Sequence, residues 1–346
     1  MNLRRLAIFL CIVIAIIAWS LLSPGTPAPI TNAAPPAEAA NISPGETAPD
    51  GNQPALSKVE WKHIRAFETG VVPKVTLADC ERFLAKHGET PANLLAVFDQ
   101  TGDRKWLERA LATFPDSPAV LFSVLAESPD ATAEQRAAWL DKFKSVDPNN
   151  PVPWLLSANL LFNGNRPEEA MAEASAALDR PAFYTYSSER IAAARALFEE
   201  SGLHPLEAEL LGTMTLKMPL LGVAMGISKG LQLLKAPETA EASTIADAGR
   251  IQYNLGRMFQ TPEASRLIIG QLVGVALETI GLTSRPPDFQ EMRTAHLEAQ
   301  KAEIKTLTQA VQITDSSNEK QVAEYLRRLR TEGELPALRW LKAQQK

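Results

Sequence analysis

The sequence predicts an all-α protein: an α-hairpin solenoid followed by a helical C-terminal bundle, both behind an N-terminal transmembrane helix. Three observations carry that expectation. The chain opens with an uncharged apolar run from Leu6 to Leu22. Eight of its 25 prolines then fall between Pro24 and Ala55, a stretch without Lys or Arg. Beyond Ala55, apolar residues recur at helical spacing in segments broken by Gly, Pro and Asn-Asp, and no convincing period-two strand occurs. The expected divisions are 1–23 (anchor), 24–56 (Pro/Ala-rich disordered linker), 57–211 (helical repeats) and 212–346 (C-terminal helical domain). At 45% hydrophobic and 22% charged over 346 residues, the composition matches globular proteins and excludes collagen, wholesale disorder and a disulfide scaffold.

The anchor is argued from length. A helix needs roughly 17–25 apolar residues to cross the ~30 Å hydrocarbon core of a bilayer, and Leu6 to Leu22 supplies 17. Arg4 and Arg5 hold the N-terminus on the cytoplasmic side, and Trp19 sits near the outer interface, where an indole prefers to lie. The expected address is a bacterial inner membrane, crossed once, with the body in the periplasm. The alternative is a cleaved signal peptide and a soluble periplasmic chain. Its candidate sites are Thr26-Pro27-Ala28, hindered by Pro29, and Asn32-Ala33-Ala34, which lies far from the apolar run. Cys11 lies inside that run, so the exported part has only Cys80 and forms no intramolecular disulfide; a small buried thiol is the expectation for Cys80. The linker, at about 3.1 Å per residue in polyproline form, reaches on the order of 100 Å.

Helices follow in order. Thr76 and Asp79 spell a capping box for a helix reaching Lys86. Pro91 starts the next, which Thr101-Gly102-Asp103 breaks. Trp106, Leu107, Ala110 and Leu111 mark a third, ended by Pro115-Asp116-Ser117-Pro118. Pro118 to Pro148 forms another hairpin, with Leu121, Val124, Trp139, Leu140 and Phe143 as its stripe. Next, Asp147-Pro148-Asn149-Asn150-Pro151 leads into Trp154, Ala158 and Leu161, the turn Gly164-Asn165, then Ala170, Ala174, Ala177 and Leu178. A last hairpin runs from Ile191 to Phe198, through Gly202-Leu203-His204-Pro205, to Leu206–Leu211.

The spacing around Trp154 resembles the tetratricopeptide repeat, a helix-turn-helix of about 34 residues with small and large residues at set intervals. Departures are Ser157, Leu161 and Ala174 at the family's Leu, Tyr and Phe positions, and Arg136 in place of a small residue one repeat earlier. The resemblance covers roughly residues 76–211. It implies a stack with a concave face that holds proteins or peptides. On that face the resemblance places Leu155, Asn159, Phe162 and Asn163, with Asn159 bonding an extended backbone and Leu155 and Phe162 offering apolar contact. Stacking of Leu155 and Phe162 on a neighbouring hairpin is the equal alternative.

The C-terminal part departs from that period. Met218 to Leu234 carries Gly222, Gly226 and Gly230, and Arg266 to Leu282 carries Gly270 and Gly274. Small residues four apart admit a close neighbouring helix. Core packing is the expectation, and an apolar ligand between these helices the alternative; Lys217, Lys229, Lys235 and Glu278 oppose membrane insertion. Ile245 to Phe259 forms a helix, and Thr261-Pro262-Glu263 starts the following one. Asp288 to Ile313 carries Leu297, Ile304 and Val311 at seven-residue spacing, with Leu307 between. Ser316 and Glu319 spell a further capping box, and Trp340 and Leu341 pin the last helix.

No catalytic constellation emerges. His63, His87, His204 and His296 are scattered and have no metal-ligand spacing, and the zincin, Gly-Lys-Ser/Thr and Gly-x-Ser-x-Gly motifs are absent. Ser317-Asn318-Glu319-Lys320 reads as a helix start. Without Arg4 and Arg5 the chain has 33 basic against 40 acidic residues and no basic stripe, which argues against nucleic acid. The expected function is a non-catalytic, membrane-anchored scaffold for a protein or peptide partner, with no cofactor and no metal. A carrier or sensor of an apolar ligand is the alternative. Alkaline carbonate extraction tests the anchor: the full chain should stay in the membrane pellet, whereas release of a chain shortened at its N-terminus would mean cleavage.

Overall fold

Caps written in the sequence set many of the helix starts. The computed structural model describes residues 73–235, 241–261, 264, 266–310 and 319–344. The anchor, the linker, residues 57–72, Val311 and the Ser316 capping box lie outside the described residues. Helix α1 (Leu77–His87) has the Thr76–Asp79 box in place, with the Thr76 amide donating to Asp79 at 2.8 Å. Thr90 caps α2 (Pro91–Thr101), Asp103 caps α3 (Arg104–Thr113), and Thr132 with Gln135 boxes α5 (Ala133–Val146) after α4 (Pro118–Glu127). Such side-chain acceptors satisfy amides that have no partner in the first turn.

Four hairpins follow one another: α2–α3, α4–α5, α6 (Val152–Asn163) with α7 (Pro167–Leu178), and α8 (Ser187–Glu200) with α9 (Pro205–Met214). Ala158, Ala170, Ala174 and Ala177 are buried between α6 and α7, so the two helices approach closely, as the alanine spacing predicts. Trp154 lies under the Arg180 guanidinium, 3.8 Å from its ring centre. Asn150 ties the preceding turn to residues 184–186. Its amide nitrogen donates to the Tyr184 carbonyl and the Tyr186 hydroxyl, each at 2.9 Å, and its oxygen accepts from the amides of Val152 and Tyr184.

The fourth hairpin does not extend a simple row. Helix α8 packs on α1 and α2, the first two helices among the described residues. The tie is a buried ion pair in which Arg190 donates to both oxygens of Asp99, at 2.6 to 3.1 Å, with both side chains about 5% exposed or less. Burial raises the Asp99 carboxyl above its ordinary value despite Arg190. A carboxyl that holds its proton more tightly when folded favours the fold at low pH, and that margin is lost as pH rises through the raised value.

The remaining helices are α10 (Pro219–Lys235), α11 (Ala242–Met258), α12 (Ile268–Leu282), α13 (Pro287–Ala310), α14 (Glu319–Glu332) and α15 (Glu334–Gln344); no strand occurs among the described residues. Helix α10 lies on α6, α11 lies on α10 and α7, and α12 forms a tight pair with α11. Gly256 makes that pair possible, because a Cβ there would strike the Glu278 amide and sit 2.7 Å from the Gly274 carbonyl. Pro262 and Glu263, the expected start of the following helix, lie outside the described residues; the next described helix, α12, starts at Ile268. There the Glu334 carboxylate accepts from the Ile268 amide at 2.7 Å, while the Glu334 amide donates to the Arg266 carbonyl at 2.7 Å.

Two main apolar cores result, and each draws on residues from both sides of position 211. One joins α1–α3, α8 and α9 to α13–α15, including Leu297's neighbours along α13, Ile304 and Leu307. The other joins α5–α7 to α10 and α11. Helix α4 belongs to both, with Val120 and Val124 in the first and Leu121 and Phe122 in the second. Helix α12 does likewise, through Ile268 and then Val273 and Leu277.

Arg190→Ala should cost about 3–5 kcal/mol in denaturant unfolding, because it leaves a buried carboxylate unpaired. The double replacement Arg190→Met with Asp99→Leu should recover most of that loss. A single variant as stable as the wild type would show that the pair does not hold α8 to α2.

Candidate functional site

Helix α8 has two working faces. Ala193, Ala194, Leu197 and Phe198 are buried in the first core. Ser188, Ile191, Ala192, Arg195, Ala196 and Glu199 recur at helical spacing on another face, which borders a partly enclosed cavity of about 410 Å³. On this face Ala192 is exposed and Ala196 half-buried. The other walls are Phe122 of α4, the segment Phe183–Thr185, Glu209 and Thr213 of α9, Leu220 and Leu221 of α10, Phe259, Gly270 of α12, and Leu326, Leu329 and Arg330 of α14. Most of this lining is apolar. Phe183 meets Phe259 edge-on at 5.3 Å between ring centres, which fixes both rings.

The rim is charged. Glu209, only 13% exposed, accepts from Arg330 at 2.9 Å and from Arg195 at 3.3 Å, and Arg195 also donates to Glu199 at 2.7 Å. Arg266 donates to the Arg330 carbonyl at 3.2 Å near the C-terminus of α14. Tyr184 donates to Glu189, and burial together with that carboxylate pushes its phenol up to about 12. Lys217 pairs with Glu127 at 3.3 Å and lies over the Phe98 ring. The arrangement can hold an apolar body with its polar end at the rim. It brings no nucleophile beside a base, and no group of three or more His, Cys, Asp or Glu among the described residues could hold a metal ion.

The candidate partner face has a different setting. Leu155 is buried in the second core, Asn159 and Phe162 are half-buried, and Asn163 is exposed. Asn159 lies against Gly226 and Phe162 against Gly230, where any Cβ would collide with them. The glycine spacing of α10 and the candidate residues of α6 are thus the two halves of one internal contact. Gly222 has open space instead. The α11–α12 pair is likewise filled by backbone and side chains at Gly249, Gly256, Gly274 and Gly281. Pro205–Lys235 has the length and hydropathy, mean 1.5, to cross a membrane. It is broken at residues 215–218, and its parts pack on α8 and α14 and on α6 and α11.

Cys80 is buried in α1, and His204 caps α9 by accepting from the Leu206 amide at 3.3 Å. The cavity had only a weak signature in the sequence, because its α8 face mixes Ser, Ala, Arg and Glu with the single large apolar Ile191 and reads as a solvated stripe. Its periodicity at 188, 191, 192, 195, 196 and 199 was the available signal.

No family model, curated protein or solved structure matches the chain. The tetratricopeptide resemblance therefore rests on the residue pattern alone.

Phe162→Ala should cost about 1–3 kcal/mol, less than a fully buried phenylalanine, while exposed Asn163→Ala should stay within about 0.5 kcal/mol of wild type. Denaturant unfolding compares the two. Equal, negligible effects would mean that Phe162 is free of α10 in solution.

Proposed function

We propose that the chain is a non-catalytic, membrane-tethered binding protein whose working site is the cavity between α4, α8, α9, α10, α12 and α14. The observation that supports this reading is the cavity itself: about 410 Å³ of apolar-walled space, with aromatic rings on one side and charged groups at the rim. That is well above the ~150 Å³ that admits benzene and lies within the ~300–1,000 Å³ of small-molecule sites. The occupant is a small ligand with a large apolar part. On this reading the anchor at residues 6–22 and the 24–56 linker hold the body outside the cytoplasm, in the periplasm of a bacterial envelope. The helical hairpins supply a rigid frame, and the tetratricopeptide-like pattern is kept for packing.

A scaffold role for a protein or peptide partner retains the support of the anchor, linker and hairpins. On its candidate face Asn163 is exposed, but Leu155 is buried in the second core and Asn159 and Phe162 lie against α10, so a partner reaching those two would first have to displace that helix. The ligand reading needs no such rearrangement.

Native mass spectrometry of the full chain extracted from membranes tests the proposal. A small-molecule adduct should accompany the wild type and disappear from Ala196→Trp, whose indole fills the cavity, while circular dichroism of the variant stays helical. A wild type without adduct, or an adduct equally retained by Ala196→Trp, would overturn it.

A further inference from the structure

The cavity rim has a charge opposite to that of the chain. Among the described residues Arg195, Lys217, Arg266 and Arg330 border it, against Glu199 and Glu209, so cations outnumber carboxylates four to two. The chain as a whole has a net charge of −5. The excess is not spread evenly. Glu209 is shared by Arg195 and Arg330, Glu199 is taken by Arg195, and Lys217 faces Glu127. Arg266 is left with no carboxylate partner among the described residues.

Its position is fixed by the fold. The Arg266 carbonyl accepts from the Glu334 amide, and one guanidinium N–H donates to the Arg330 carbonyl at 3.2 Å. A guanidinium has five N–H donors in a planar fork, so most of its donor capacity remains for an anion. Arg330, about half exposed, lies beside it. Behind this cationic edge the wall turns apolar, with Phe122, Phe183 and Phe259 all lining the same space.

We propose that the cavity takes a single-chain amphiphile with an anionic head, its alkyl chain among Phe122, Phe183 and Phe259 and its head at Arg266 and Arg330. This assignment rests on the cavity being the working site and names its ligand class. Burial of the chain supplies an affinity that grows with each methylene removed from water. The arginines select the anionic head over a neutral one of the same length. A carboxylate and a phosphate monoester share that chemistry, and both fit the donor set.

Photo-crosslinking of the full chain in native membranes tests this with three probes carrying a diazirine in a twelve-carbon chain: a carboxylic acid, a phosphate monoester and an uncharged alcohol. Labelled peptides mapped by mass spectrometry should contain Phe122, Phe183 or Phe259 with the anionic probes, and only weakly with the alcohol. The double variant Arg266→Gln with Arg330→Gln should lose about tenfold of the anionic labelling, the equivalent of ~1.4 kcal/mol, and keep its alcohol labelling. Stronger labelling by the acid assigns a fatty-acid-like ligand, and stronger labelling by the phosphate a lipid phosphate. Equal labelling by all three probes in the wild type, or anionic labelling unchanged in the double variant, would overturn the anionic head and leave the apolar cavity as the site. No labelling of the cavity by any probe would overturn both readings.

Discussion

The buried pair of Arg190 and Asp99 is the constraint on which this architecture turns. A charged pair in a core is a poor source of net stability, because removing both groups from water offsets most of their attraction. What it supplies is selectivity of placement. Among the described residues Asp99 pairs with Arg190 and with no other guanidinium, and Arg190 loses its solvation wherever α8 is buried, so the pair favours one docking of α8 on α2. Stacked hairpins ordinarily contact their sequence neighbours. Here the last of four returns to the first, 91 residues away.

That return creates the cavity. With α8 held against α1 and α2, its second face packs on α9 at Ile191 and Arg195, where Gly212 admits the close approach, and otherwise borders the cavity. Arg195 is received by Glu199 one turn on in α8 and by Glu209 of α9, so the hairpin itself orders this part of the rim through charge pairs.

How far this was legible in the sequence depends on the range of the interaction that decides each feature. Local signals held: the Thr76–Asp79 box, Pro91 at the start of α2, the alanines of α6 and α7, and the burial of Leu297, Ile304 and Leu307 follow from residues a few positions apart. Features decided by distant partners did not show. The start of α12 at Ile268 depends on Glu334, 66 residues on. The glycines of α10 announce a close neighbour but not its identity, and Asn159 and Phe162 announce a contact surface but not that α10 occupies it. The cavity is least legible of all, since its apolar walls come from segments as far apart as Phe122, Phe183, Phe259 and Leu329, and no stripe on one helix announces them.

The cavity also persists for a reason independent of any ligand. Helices α4 and α12 each contribute to both cores, with Val120 and Val124 on one side of α4 and Leu121 and Phe122 on the other. Moving α8 and α14 inward to fill the space would carry the first core toward the second and force α4 to give up contacts in one of them. Close-packed interiors resist such continuous deformation. A gap between two cores that share rigid helices is therefore a stable geometric remainder. An apolar chain entering it gains burial without asking either core to repack, and by binding only the folded form it stabilises both cores together. On the proposed ligand reading, occupancy and cohesion of the two halves are linked: whatever loosens α4 or α12 should weaken retention of a bound ligand, and its loss should loosen the junction they share.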